Sequence, residues 1–168
     1  MRGGSIVPTR ERHRRSSPLM KHDPFTLRVA LDTAGNARGE LYLDDGETYA
    51  NERGDMVWRG LVAETKGKGR GRAVRIASVD LAAGGGTGVS VYDPRNEFAR
   101  SIVEVRVEKV VVVGLGTKPV SVVLESGREL EWEYTPGVGS EKEGQPGVLV
   151  VKDPAVGVAE DWAIIVKL

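Results

Sequence analysis

Residues able to carry out nucleophilic or metal chemistry are scarce in this sequence. Its 168 residues include no cysteine and two histidines, His13 and His22. A nucleophilic Ser, Cys or Thr needs a base beside it, and no nucleophile-elbow motif is present. A zinc site needs three or four ligands, mostly His or Cys. We therefore expect both histidines in an exposed loop, and the sequence predicts no catalytic residue, no metal site and no cofactor.

One pair of acids has the residue types that glycoside hydrolysis uses. Asp44 and Asp45 are adjacent and precede Gly46. Glycoside hydrolysis needs two carboxyl groups flanking one bond, whereas adjacent residues of a strand point to opposite faces. An Asp-Asp-Gly sequence is typical of a turn whose side chains accept backbone hydrogen bonds. A turn is therefore the preferred interpretation, with a calcium or sugar contact as the alternative.

Cations are concentrated near the N-terminus, where residues 1–22 contain six Arg or Lys and one acid, Glu11. Because such a dense group of like charges is costly without acidic partners, we expect an inter-domain or inter-subunit interface at four arginines. These are Arg10, Arg12, Arg14 and Arg15.

The composition argues against nucleic-acid and membrane partners. The 24 basic residues balance 24 acidic ones, and no aromatic residues are interleaved with the N-terminal cations. No apolar run approaches the ~20 residues that a membrane-spanning helix needs. The glycine-rich loops at 66–71 and 84–88 lack the Lys-Ser/Thr and the strand-to-helix context of a phosphate-binding loop.

Short strands are expected to position these residues. Apolar and polar residues alternate through most of the chain, as at Leu27, Val29 and Leu31, and no stretch keeps a helical period. The later strand-like runs are Val57–Thr65, Arg72–Val79, Ile102–Val113, Val120–Leu124, Leu130–Tyr134, Val148–Lys152 and Trp162–Leu168. Gly, Pro and Asp separate them at sandwich-like spacing. The sequence predicts an all-β, antiparallel β-sandwich of about eight to ten strands, with room for one helical turn.

Two motifs in order resemble glycoside hydrolase family 31. Residues Arg2–Pro8 resemble the Arg-Gly-Gly-x-Ile-Ile/Val-Pro strand that follows that family's catalytic barrel. Residues Leu41–Gly46 resemble its aromatic-x-Asp-Asp-Gly signature, near the start of its last β-sandwich. Arg14–Ser17, Val107–Gly114 and Asp161–Ile164 are similar to the glucosidase II α-subunit branch of the family.

The resemblance implies a part of a retaining α-glucosidase that removes α-1,3-linked glucose from N-linked glycans in the endoplasmic reticulum. Its catalytic aspartates lie in the barrel, and no position here matches their motifs. Residues 1–20 would be the last strand and surface loop of the proximal C-terminal sandwich, and residues 21–168 the distal C-terminal β-sandwich. The implied partners are the catalytic barrel and the glucosidase II β subunit. The opening residues resemble no signal peptide, so we expect the targeting signal on sequence absent here.

The expected role is a structural buttress, because a sandwich docked on a barrel buries apolar surface and fixes its loops. Two alternatives remain open. A carbohydrate-binding module is one, since Trp132 and Tyr134 share a face of a predicted strand and are candidate sugar contacts. The C-terminal domain of another family 31 enzyme, such as an α-xylosidase, is the other, with the same fold but a different substrate and compartment.

Overall fold

The computed structural model describes residues 1–67, 69–81, 96–138 and 145–168. The glycine-rich loop predicted at residues 84–88 lies outside these ranges. Ten strands dominate the described residues: β1 Ser5–Thr9, β2 Phe25–Ala30, β3 Ala37–Leu43, β4 Val57–Lys66, β5 Ala73–Asp80, β6 Arg106–Val113, β7 Ser121–Leu124, β8 Glu131–Thr135, β9 Val148–Gly157 and β10 Trp162–Lys167. In the described ranges, helical structure is limited to α1, Glu97–Ser101, and three short 3-10 turns at Ser17–Met20, Ala50–Arg53 and Gly69–Gly71. The all-β prediction is confirmed.

All ten strands belong to one sheet, in the order β7-β10-β5-β4-β3-β1-β2-β6-β9-β8. Most neighbours are antiparallel, as predicted, but β2 and β6 pair in parallel, and β1 meets β3 in parallel at one position. Parallel pairing requires a long crossover, which residues 31–105 provide. Because β1 lies between β2 and β3, it is an inner strand of this sheet. The assignment of residues 1–20 to a neighbouring sandwich stays a prediction.

The two edges of the sheet meet, which gives the fold its sandwich-like form. Glu129 bridges Val123 of β7, and Leu130 donates from its backbone nitrogen to Val122, 3.0 Å away. The same stretch then continues into β8 at the opposite edge. A single core therefore lies between the facing halves of the sheet. It includes Val74, Ile76, Leu61 and Ile164 from one half and Val110, Val112, Leu149 and Val151 from the other.

Strand limits agree with most of the predicted runs, but β9 continues to Gly157, five residues beyond the predicted end at Lys152. The strand predicted at Ile102–Val113 begins at Arg106. A helical turn precedes it because Asn96 caps α1, its side-chain oxygen accepting from Ala99 N at 2.7 Å. Ile102 and Val105 are buried beyond that turn without pairing in a strand. In the described part of the chain, no helix has the length and apolar character to cross a membrane.

Candidate interface at the basic N-terminal segment

The basic N-terminal segment, residues 10–15, leaves the sheet at the end of β1 and lies against β2 and β6. Glu11, its one acid, accepts from Arg28 Nη2 at 2.7 Å and from Lys109 Nζ at 3.2 Å. The hydrogen bond from Lys109 is the largest of the effects that hold the pKa of Glu11 below its ordinary value. Arg12 reaches Glu108 on β6 at 3.3 Å. The segment is therefore fastened to both strands.

Arg14 makes the tightest of these contacts. Its Nε and Nη2 donate to the two carboxylate oxygens of Asp23, at 2.9 and 2.7 Å. The pair is therefore bidentate. Because Asp23 is 4% exposed, its carboxylate is largely shielded from water. The hydrogen bonds from Arg14 lower the pKa of Asp23 and raise that of Arg14.

Arg10 packs inward instead of pairing with an acid. Its guanidinium lies 4.4 Å from the centre of the Phe25 ring, a cation–π contact, and donates to the carbonyl of Lys21 at 3.3 Å. Desolvation on burial lowers the pKa of Arg10 from its ordinary high value, opposed by the charge of Asp23. This residue anchors the segment through packing more than through charge.

Arg15 differs from the other three. It is exposed and makes no hydrogen bond or ion pair with the residues the structure describes. The interface was predicted because dense cations need acidic partners, and the chain itself supplies them for Arg12 and Arg14. Arg15 is therefore the arginine best placed to meet another surface. The interface role of the four arginines stays a prediction. Both histidines are exposed, in agreement with the sequence.

The Asp-Asp-Gly turn faces the basic N-terminal segment across a cleft of about 240 Å³. Arg10 and Lys21 line one side, Asp44, Asp45 and Glu47 the other, and Leu43, Phe98 and Ile102 its apolar part. Cations from residues 10–21 and acids from the Asp-Asp-Gly turn therefore line the same cleft. Among the described residues, no three His, Cys, Asp or Glu side chains are grouped to hold a metal ion.

The two aspartates act as turn formers, as the preferred interpretation predicts. Asp44 accepts from the backbone nitrogen of Gly46 at 3.0 Å. Asp45 accepts at 3.0 Å from the backbone nitrogens of both Glu47 and Thr48. Hydrogen bonds from the Thr48 side chain and these nitrogens lower the pKa of Asp45 to about 2. The connection between β3 and β4 spans residues 44–56, so it is longer than a two-residue hairpin turn.

Trp132 and Tyr134 share one face of β8, and that face packs against the core. The Tyr134 hydroxyl donates to the carbonyl of Leu115 at 3.2 Å. Glu131, Glu133 and Thr135 alternate with them and are exposed. The structure therefore brings the two aromatic residues together, but with partly buried rings. Their contact with sugar stays a prediction.

Arg59 is a structural residue that the sequence reasoning missed. It is 2% exposed and lies on the core face of β4, in phase with Val57 and Leu61. Its Nε donates to Ser78 Oγ at 3.0 Å, and its Nη2 donates to the Glu160 carbonyl at 3.1 Å and to the Asp161 carboxylate. A single arginine in phase with apolar neighbours was the signal that could have found it. It ties β4 to the connection between β9 and β10.

Comparison with known proteins identifies the family of this chain. It is 36% identical over 169 residues to neutral alpha-glucosidase AB of Homo sapiens, covering 97% of this chain and 14% of that protein. A crystal structure of the DNJ-bound glucosidase II alpha subunit superposes with a TM-score of 0.78 at 31% identity, over 99% of this chain and 17% of that one. The chain belongs to the glucosidase II α-subunit branch of glycoside hydrolase family 31.

The family 31 chain spans about one-seventh of the length of the curated relatives that it matches, 14% in the human protein. A crystal structure of the ER glucosidase II heterodimeric complex, consisting of the catalytic subunit and the binding domain of the regulatory subunit, also matches. Its TM-score is 0.74 at 32% identity, over 99% of this chain and 17% of that one. No protein-family model matches the chain.

Proposed function

We propose that this chain is a non-catalytic C-terminal β-sandwich segment of an endoplasmic-reticulum α-glucosidase that trims α-1,3-linked glucose from N-linked glycans. In this proposal it buttresses a catalytic barrel carried on another segment or chain. The observation that carries the proposal is the alignment itself, which covers 97% of this chain but 14% of its human relative. Such a match is expected of one domain of a larger enzyme.

The side chains support a structural role. Four acids in or near the basic N-terminal segment and the Asp-Asp-Gly turn are engaged in ion pairs or backbone hydrogen bonds: Glu11, Asp23, Asp44 and Asp45. Asp44 and Asp45 hold a turn, and their carboxylates accept backbone N–H groups instead of facing each other across an open cleft. Retaining glycosidases need two carboxyl groups about 5–5.5 Å apart on either side of the bond they break.

Activity of the isolated chain tests the non-catalytic part of the proposal. The purified chain is incubated with 4-nitrophenyl α-glucoside, beside an intact glucosidase II α subunit as the positive control. We expect release of nitrophenol from the intact subunit and none above buffer from the chain. Hydrolysis that survives further purification of the chain and is blocked by an active-site inhibitor of the intact subunit would overturn the assignment.

Association with the barrel tests the buttress role, and Arg15 offers a clean variant. Arg15→Glu reverses a charge that has no partner in the described part of the chain, so its fold should not change. Lys118→Glu, at an exposed lysine between β6 and β7, is the matched control. We expect Arg15→Glu to weaken binding to a separately expressed barrel and Lys118→Glu to leave it unchanged. Equal binding of both variants and of the parent chain would remove Arg15 from the interface.

The regulatory subunit is the second proposed partner, supported by the similarity to the catalytic subunit in the heterodimeric complex. The same two variants distinguish the surfaces, when titrated with the isolated β-subunit binding domain in place of the barrel. Loss of binding to only one partner on Arg15→Glu assigns the arginine to that partner.

A further inference from the structure

Two aromatic side chains lie on the outer face of the sheet, away from the core. Tyr42 on β3 and Trp58 on β4 are directly opposite each other in the antiparallel register. Neither packs on the core, unlike Trp132, Tyr134 and Trp162. Tyr42 is 45% exposed and Trp58 is partly exposed. Side chains of directly opposed strand residues are near neighbours, so the two rings form one apolar surface.

A hydrogen bond to a carboxylate at the margin of this surface holds the Trp58 ring in place. The Trp58 indole nitrogen donates to Glu40 Oε2 at 3.0 Å, and Glu40 lies two residues before Tyr42 on the same face. The Tyr42 hydroxyl lies near Asn51 and Asp44, and burial is the largest effect that raises its pKa. A ring fixed in this way loses little conformational freedom when a ligand stacks on it.

The margin carries both an acid, Glu40, and a base, Arg38. Glu40 uses one oxygen for Trp58 and has lone pairs left for further donors. Arg38 is exposed on the same face, two residues before Glu40. A margin with charges of both signs does not favour a strongly basic or acidic partner. It favours a neutral ligand that combines hydroxyl donors with an apolar face.

We propose that Tyr42 and Trp58 form a stacking site for a neutral pyranose ring, with Glu40 accepting a hydrogen bond from one of the sugar hydroxyl groups. A pyranose presents C–H groups on one face and hydroxyls around its edge, which matches two aromatic rings beside a carboxylate. This site is separate from Trp132 and Tyr134, whose rings face the core. The inference goes beyond the buttress role, and either can fail alone, because binding of free sugar requires no barrel.

The three tryptophans provide an internal comparison in the test. Nigerose, an α-1,3-linked glucose disaccharide, is titrated into the 15N-labelled chain, and the indole N–H resonances are followed. We expect a saturable shift of the Trp58 resonance with millimolar affinity, while those of Trp132 and Trp162 stay in place. Sorbitol, an acyclic polyol that has hydroxyls but no flat ring face, should cause no shift.

Two tyrosine variants test the stacking itself. Tyr42→Ser should weaken nigerose binding about tenfold, the factor expected from losing one aromatic contact. Tyr49→Ser removes a tyrosine that is 78% exposed on the neighbouring connection and should have no effect. Unmoved Trp132 and Trp162 resonances in the free variant show an intact fold, and Tyr42→Leu replaces Tyr42→Ser if that variant unfolds. The proposal is overturned if nigerose does not shift the Trp58 resonance, or if sorbitol shifts it as much as nigerose does. It is also overturned if Tyr42→Ser and Tyr49→Ser change the affinity for nigerose equally.

Discussion

Removing Asp161 should destabilise this fold more than removing its partner Arg59, although Asp161 is the exposed member of the pair. The side chain of Arg59 is 2% exposed and that of Asp161 is 78% exposed. Asp161→Ala leaves a buried guanidinium with no counter-charge. Arg59→Met leaves the Asp161 carboxylate unpaired, but water already solvates that group. The apolar methionine side chain still packs beside Val57 and Leu61, as the apolar part of the arginine did.

The expected free energies of unfolding follow from these exposures. Removing one member of a buried ion pair costs about 3–5 kcal/mol, and the exposure of Asp161 places this pair near the lower bound, about 3 kcal/mol. Arg59→Met leaves Ser78 Oγ, which is 2% exposed, without its donor. That loss costs about 1–2 kcal/mol. Adding Arg59→Met to Asp161→Ala should therefore restore about 1–2 kcal/mol.

Urea unfolding followed by circular dichroism measures the three variants. Glu129→Ala is the control, because Glu129 is exposed and has no ion pair among the described residues. The slope of free energy against urea should stay the same, so that midpoints report stability. The reasoning is refuted if Asp161→Ala is no more destabilising than Arg59→Met. It is also refuted if the double variant loses as much free energy of unfolding as the two single variants lose together.

The remaining predictions concern three other sites. The lowered pKa of Asp45, about 2, stabilises the fold above the ordinary aspartate pKa, and this stabilisation is lost as the pH falls toward 2. Asp45→Asn should therefore be less stable than the parent chain at pH 6 and approach it at pH 2, as urea midpoints at both pH values will show. Arg14→Met should lower the urea midpoint at neutral pH because Asp23 is 4% exposed and loses its bidentate partner. That difference should shrink as the pH falls through the lowered pKa of Asp23, whereas a constant difference would mean that packing and not charge is lost. Ala155 has a φ of 50°, in the left-handed region, so Ala155→Gly should leave the chain unchanged or stabilise it by up to about 1 kcal/mol. Ala155→Val should lower the melting temperature, and the opposite order of the two variants in a thermal melt would contradict the assignment of backbone strain.

Period-2 alternation was enough to predict the all-β class and most strand limits. The run Val57–Thr65 became β4, and Trp162–Leu168 became β10, with ends shifted by one residue. These runs succeed because alternate side chains of a strand point to opposite faces, whatever the strand pairs with. The Asp-Asp-Gly turn was equally predictable, since its hydrogen bonds join residues at most three positions apart.

Only the tertiary structure decided which face of a strand is buried and which strands are neighbours. Alternation places Trp132 with Tyr134 on one face, but burial of that face depends on strands far away in sequence. The partners of Arg59 lie 19 to 102 residues along the chain, and the parallel pairing of β2 with β6 joins residues equally remote. A local pattern carries no information on such contacts, because their geometry exists only once the sheet has closed around the core. Because of the same closure, Tyr42 and Trp58 lie on the outer face of the sheet. The sequence alone had predicted no site at these two residues.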